Sequence, residues 1–243
     1  MSKLSSKTKE ALARIKLRRE AYSCFAKFID WAHEHASHRW VFRGQPQHFT
    51  LKPTIGRSSA YKPEIERLLL EEFKRSALPH IDRNRLINDW DWLAVAQHHG
   101  LPTRLLDWTT NPLVACYFAT GVHGNSRQKG EIYAIQASEV GYYSPEKSDE
   151  IDPFSIVKAG FFKPSALAPR IVSQRGLFSI QPNPDKAWRI GARVETFEVP
   201  MEFKTEFRRG LFNIGADASF IMSDLDGLAN TLKWRYENRI LSE

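Results

Sequence analysis

Two stretches of this sequence place guanidinium groups inside apolar runs. One is Trp40-Val41-Phe42-Arg43-Gly44-Gln45. The other is Gln97-His98-His99-Gly100-Leu101-Pro102-Thr103-Arg104-Leu105-Leu106-Asp107-Trp108-Thr109. An unpaired buried charge is costly, so an arginine among Phe and Leu implies a fixed anionic partner, internal or bound. Its fork of donors suits a carboxylate or a diphosphate. Gly44 would let a ligand approach the main chain beside Arg43. Gly100 and Pro102 form a rigid turn that delivers Thr103 and Arg104, and Asp107-Trp108-Thr109-Thr110 can hold a sugar hydroxyl or an amide. The competing explanation is structural. Asp107 is best placed to orient Arg43 or Arg104, and an internal ion pair accounts for Arg43 alone equally well.

Several other chemistries are excluded. His98 and His99 are adjacent and diverge on a helix, with no Cys or carboxylate at ligand spacing, so no metal is expected. One imidazole is expected to bond a backbone carbonyl and the other to line a cleft. The Gly-x4-Gly-Lys, Gly-x-Gly-x-x-Gly and Gly-x-Ser-x-Gly patterns are missing, which removes kinase, Rossmann dehydrogenase and esterase readings. A nuclease is not excluded but ranks last of the functions considered, because the clustered carboxylates of a two-metal site are missing.

The elements that must position these groups follow from periodicity. Apolar residues from Thr8 to Ala36 recur at helical spacing, with Lys7, Lys9, Arg14, Lys16, Arg18 and Arg19 crowding the first half. Trp40 to Arg43 reads as a short strand. Helices are expected over Pro63–Leu78, Asp89–His99, from Pro112 onward after an Asn111 or Thr110 cap, over Met201–Phe212 and over Leu225–Ile240. Strands are expected at Glu131–Gln136, Leu177–Ile180 and Val194–Val199, and residues 141–155 read as a surface loop. Helices first and strands later predict an α+β fold, with a helical N-terminal part packed on a mixed or antiparallel sheet. The expected organisation is a basic N-terminal helix over 1–36 and one compact domain over 37–243.

The 243 residues carry a formal charge of +7, which favours a polyanionic partner such as nucleic acid. Cys24 and Cys116 lie in apolar helical surroundings and read as small buried hydrophobes. Neither a signal-peptide pattern nor a membrane-spanning run is visible, so a cytoplasmic protein with no membrane partner is expected.

The two arginine segments, with Asn111-Pro112-Leu113-Val114-Ala115-Cys116-Tyr117-Phe118-Ala119, resemble the FRG domain, named for its Phe-Arg-Gly motif. Later matches are Pro169-Arg170-Ile171, Gln174-Arg175-Gly176-Leu177-Phe178 and Ser223-Asp224-Leu225-Asp226-Gly227-Leu228-Ala229, so the resemblance spans roughly residues 38 to 232. A phenylalanine-proline pair of the last motif is replaced around Met222 and Ser223. The resemblance implies an effector of bacterial toxin or anti-phage systems, with a neutralising antitoxin protein as a possible partner.

The motif order is similar to that of ADP-ribosyltransferases: an Arg on an early strand, a Ser/Thr-rich middle element and a late acid. This implies an ADP-ribosyltransferase-like fold and NAD as substrate. In that reading Arg43, Gly44, Gln45, His98, Thr103, Arg104, Trp108 and Thr109 bind NAD, and Trp108 or Tyr117 can stack on its nicotinamide. Gln174 and Arg175 contact substrate. Arg43 and Asp107 act in catalysis with a late carboxylate, which stabilises an oxocarbenium-like ribose. Asp224 and Asp226 are the assigned late acids, with Glu195, Glu198 and Glu206 as competitors and helix capping as the rival role for both aspartates. The acceptor is nucleic acid, RNA before DNA, with protein second. The alternative function is a non-catalytic nucleic-acid-binding module.

Overall fold

A computed structural model describes residues 5–81, 88–121, 127–144, 151–164 and 169–240. The longest apolar period forms α1, Ser6–Glu34, started by the Ser5 side chain. The other helices are α2 (Pro63–Ala77), α3 (Asp89–His98), α4 (Pro112–Thr120), α5 (Ala137–Val140), α6 (Pro169–Ser173), α7 (Lys204–Asn213), α8 (Ala218–Met222) and α9 (Leu225–Glu237). Asn88 caps α3 and Asn111 caps α4, with Pro112 in the first turn where its missing N–H costs nothing.

Among the described residues six strands make one sheet: β1 (Trp40–Gln45), β2 (Leu105–Thr109), β3 (Gly130–Gln136), β4 (Gly160–Phe162), β5 (Gly176–Ile180) and β6 (Val194–Val199). Their order is β4-β5-β2-β1-β3-β6, and every pairing is antiparallel. The expected α+β class is therefore observed, with the sheet antiparallel rather than mixed. Strand β2, inside the second arginine segment, was not anticipated. Its buried-buried-exposed-buried-buried pattern lacks the alternation that marks a half-exposed strand. Part of the loop expected over 141–155 lies outside the described residues.

Side-chain alternation divides the core between the faces of the sheet. Phe42, Ile132 and Ala134 pack with Phe25 and Phe28 of α1, α4 and Phe207 of α7. Leu105, Phe178 and Ile180 pack with α3 through Trp90 and Leu93. Val41, Leu106, Trp108, Ile135 and Leu177 form a separate cluster with Phe161. Both cysteines are free, and burial pushes each thiol above its ordinary value.

One junction in the sheet is weak. Strand β1 pairs with β3 along six residues, Trp40 to Gln45, but with β2 at the single position Phe42–Thr109. Past that bridge the two central strands part. Gly44 lies beside the opening, and its missing side chain serves the packing of α4. A Cβ there would fall 1.7 Å from the Ala115 carbonyl oxygen. Gly44→Ala is accordingly expected to push α4 off the sheet and destabilise the fold by about 3 kcal/mol, read from the denaturant midpoint.

Candidate functional site at the parting of β1 and β2

A cleft of about 320 Å³ opens where β1 and β2 separate. Its floor is Phe42, Arg43 and Gly44 of β1, Asp107 and Trp108 of β2, and the start of β5. Gln97 and His98 of α3, Phe118 of α4, and Ile171 and Gln174 form the walls. Size and mixed lining suit a small-molecule site.

Arg43 fills the gap between the strands. Its Nη1 donates to the Asp107 main-chain carbonyl at 2.7 Å, in place of the ladder bond that a full β1–β2 pairing would supply. The nearest carboxylate oxygen, Asp107 Oδ2, is 3.9 Å from Nη1. The Arg43 side chain is 15% exposed and that of Asp107 61%, so a desolvated cation is matched only side-on by a solvated anion. Burial pulls the Arg43 guanidinium below its ordinary value, and the Asp107 charge opposes that shift. Arg43 Nε is buried with no hydrogen-bond partner among the described residues, and so is Gln174 Nε2 across the cleft.

Asp107 is held by a chain of side chains. The Thr103 hydroxyl accepts the Leu105 N–H at 3.2 Å and donates to Gln97 Oε1 at 2.6 Å. That fixes the Gln97 amide, so its nitrogen donates to Asp107 Oδ2 at 2.9 Å. Thr103 thus acts through Gln97 and Asp107, not as a cleft residue. Thr109 ties the cleft's far wall to β2: its hydroxyl donates to the Gln174 carbonyl at 2.6 Å and accepts the Asn111 N–H at 2.9 Å. Arg175, the next residue, adopts a left-handed conformation (φ 46°) and its carbonyl accepts the Thr110 N–H at 3.2 Å. The Arg175 side chain is exposed and does not line the cleft.

Several expected site residues lie elsewhere. Arg104 is sealed inside the protein. Its Nε and Nη2 each donate to a Glu66 oxygen at 2.7 Å, and Nη1 donates to the Pro153 carbonyl at 2.9 Å. Its anion is therefore internal, and it does not join Arg43 at a phosphate. Gln45 is buried and donates to the Phe49 carbonyl. Trp108 borders the cleft, but its indole is packed edge-on to Phe161 and Trp188 and donates to Ser179, so it is no stacking platform. Tyr117 is buried under Arg208.

Among the described residues lining the cleft, Asp107 is the one carboxylate. Asp224 caps α9, accepting the Gly227 N–H at 2.7 Å, and Asp226 lies exposed in that helix's first turn. Glu195 bonds His35, Glu198 pairs with Lys129, and Glu206 pairs with Arg18 and Arg209. Asp224, Glu195, Glu198 and Glu206 each have a structural partner, and none of these acids, Asp226 included, borders the cleft. Asp224→Ala is expected to lower stability by about 1 kcal/mol through loss of the cap and to leave any cleft activity unchanged, read from a thermal melt beside a turnover assay.

Sequence reasoning missed Gln97, Phe118, Ile171 and Phe178 as lining residues. Phe118 is the half-buried residue of an otherwise buried turn of α4, packed edge-on to Tyr117 at the margin of the core cluster. Among the described residues, no group of three or more His, Cys, Asp or Glu side chains is arranged to hold a metal ion. No helix among them is long and apolar enough to cross a membrane.

Residues 38–128 match the family model of the FRG domain, a span that carries β1, α2, α3, β2 and α4 and so most of the cleft. No curated protein and no solved structure is found to match the chain.

Proposed function

We propose that this chain, whose residues 38–128 match the FRG domain, is an NAD-dependent ADP-ribosyltransferase whose substrate binds where β1 and β2 part. The observation that supports this reading is the pair of buried, unpartnered donors at the cleft, Arg43 Nε and Gln174 Nε2, among the described residues. A native fold pairs nearly all such groups, so two on side chains that line one cleft call for an acceptor-rich ligand. The motif order points the same way, with Arg43 on the first strand and Thr103 and Thr109 flanking the second.

NAD supplies the ADP-ribosyl group, and its nicotinamide leaves as a neutral ring when the glycosidic bond breaks. Arg43 holds the diphosphate, its cation incompletely neutralised without ligand. Asp107, oriented by Gln97 and Thr103, places negative charge where positive charge develops on the ribose. Gln174 donates to a ribose hydroxyl or the carboxamide. Phe118 offers the aromatic face that Trp108 and Tyr117 do not. His98 is within the cleft to receive the proton that the acceptor gives up as it bonds to the ribose carbon. The net charge of +7 favours a nucleic acid acceptor, RNA before DNA and protein last. The match of residues 38–128 to the FRG domain extends the proposal to a toxin or anti-phage effector with a neutralising partner.

The test is incubation with NAD labelled in the adenylate, with RNA, DNA or lysate protein as acceptor. Nicotinamide release with label on one acceptor supports the reading. A folded protein that neither releases nicotinamide nor gains stability from NAD refutes it. A second reading, a non-catalytic nucleic-acid-binding module, draws on the fully exposed basic half of α1. It requires salt-sensitive binding lost on charge reversal at Arg14, Lys16 and Arg19 and retained in Arg43→Met.

A further inference from the structure

Every residue from Ser5 to Glu20 is exposed, although all but the first are helical. The burial that anchors α1 begins at Ala21 and continues through Phe25, Phe28 and Ala32. The first half therefore projects from the body, tethered by the Arg18–Glu206 ion pair at 3.3 Å. A bare helix of about 15 residues is marginal in water, because its nucleation cost is not offset by packing. This segment needs something to lie against.

Its sequence describes that surface. Leu12, Ile15, Arg19, Tyr22, Ala26 and Ile29 recur at alternating steps of three and four, the spacing of a coiled-coil seam. All six are exposed, with Ile15 at 61% and Tyr22 at 69%, and they form a stripe separate from the buried one. The seam runs along both the projecting and the anchored halves. Charge divides differently. The projecting half carries Lys7, Lys9, Arg14, Lys16, Arg18 and Arg19 against Glu10 and Glu20, whereas Asp30 and Glu34 outnumber Lys27 in the anchored half.

We propose that α1 pairs antiparallel with α1 of a second copy of this chain, about a two-fold axis crossing between Glu20 and Ala21. The six seam positions are symmetric about that point. Leu12 then faces Ile29 of the second copy, Ile15 faces Ala26, and Arg19 stacks on Tyr22. Lys9 comes opposite Asp30, and the basic half of each helix covers the acidic half of the other. The bare turns of each copy are packed against the anchored turns of its mate, and the interface closes on itself as a two-fold dimer. A parallel pair would stack six basic residues against six. A polyanion would satisfy the lysines and arginines but leave Leu12, Ile15, Tyr22 and Ile29 in water.

Sedimentation velocity of the full chain over a concentration series tests this. The expected result is a species of twice 28.0 kDa that dissociates on dilution. Ile15→Asp should give the 28.0 kDa monomer with an unchanged near-UV spectrum, since the side chain makes no core contact. Lys9→Glu and Asp30→Lys should each weaken the dimer about tenfold, and the double variant, which restores opposite charges across the axis, should recover it. A monomer at every attainable concentration overturns the proposal. So does a dimer indifferent to Ile15→Asp, a charge swap that fails to rescue, or a monomer that enlarges only when an oligonucleotide is added.

Discussion

Arg43→Met is expected to abolish NAD turnover and yet leave the folded state nearly as stable as before. Under the proposed function the loss is that of a charge-assisted fork on the diphosphate, about 3–4 kcal/mol or roughly 10²–10³-fold in kcat/KM. The stability side of the argument rests on geometry. The guanidinium is largely desolvated, its closest carboxylate oxygen is 3.9 Å away on an exposed residue, and Nε has no partner among the described residues. One good bond, to the Asp107 carbonyl at 2.7 Å, stabilises the side chain in place. Methionine forfeits that bond, worth about 1 kcal/mol, but removes an incompletely compensated buried charge and keeps the volume that plugs the strand gap. The two effects offset to within about 1 kcal/mol.

The measurement is a denaturant titration with and without NAD. The variant should keep its midpoint and lose the NAD-dependent shift that the parent shows. A large fall in the midpoint would mean that Arg43 is a structural ion-pair residue and that the cleft is incidental. Gly44→Ala, next along the strand, should fail in the opposite way, by lost stability, because its constraint is a backbone contact with α4.

Much of this arrangement is visible in the sequence because local periodicity and capping decide it. The amphipathic run of α2, the Asn caps of α3 and α4 and the alternation of β3 and β6 are all short-range features. What escapes is long-range pairing. Strand β2 is buried on both sides along most of its length, so Leu105-Leu106-Asp107-Trp108-Thr109 shows no period of two. The parting of β1 from β2 depends on hydrogen bonds between residues more than sixty apart, and no local pattern encodes it. The sequence offers Asp107 to either Arg43 or Arg104; Arg43 takes it, bonding the main-chain carbonyl at 2.7 Å while the carboxylate stays 3.9 Å away. The late acids misled for a local reason. Asp224 precedes Leu225-Asp226-Gly227, and a side chain with a free turn of amides beside it caps that turn. Arg104 has the same sequence signature as Arg43, an arginine set against leucines, yet the outcome differs because Glu66 approaches it from a helix 38 residues earlier.

That difference yields the largest expected effect on stability. Arg104 and Glu66 are 3% and 2% exposed as side chains and meet through two bonds of 2.7 Å. Arg104→Met leaves the Glu66 carboxylate buried with little more than the Tyr61 hydroxyl, which donates to it at 3.3 Å. That hydroxyl cannot neutralise the charge, since burial and the neighbouring carboxylate push the Tyr61 phenol up to about 12. The expected cost is about 3–5 kcal/mol, read as a fall in the denaturant midpoint. Glu66→Leu alone leaves the guanidinium unpaired and should cost a similar amount. The double variant removes both charges and should recover most of the loss, because desolvation of an ion pair consumes most of what its attraction returns. It also separates structure from chemistry. Arg104 contributes no atom to the cleft, so the folded double variant should turn over NAD at the parent rate, whereas a guanidinium acting on phosphate could not be replaced by a thioether. Retained turnover in Arg104→Met/Glu66→Leu beside lost turnover in Arg43→Met would assign the two arginines to opposite tasks.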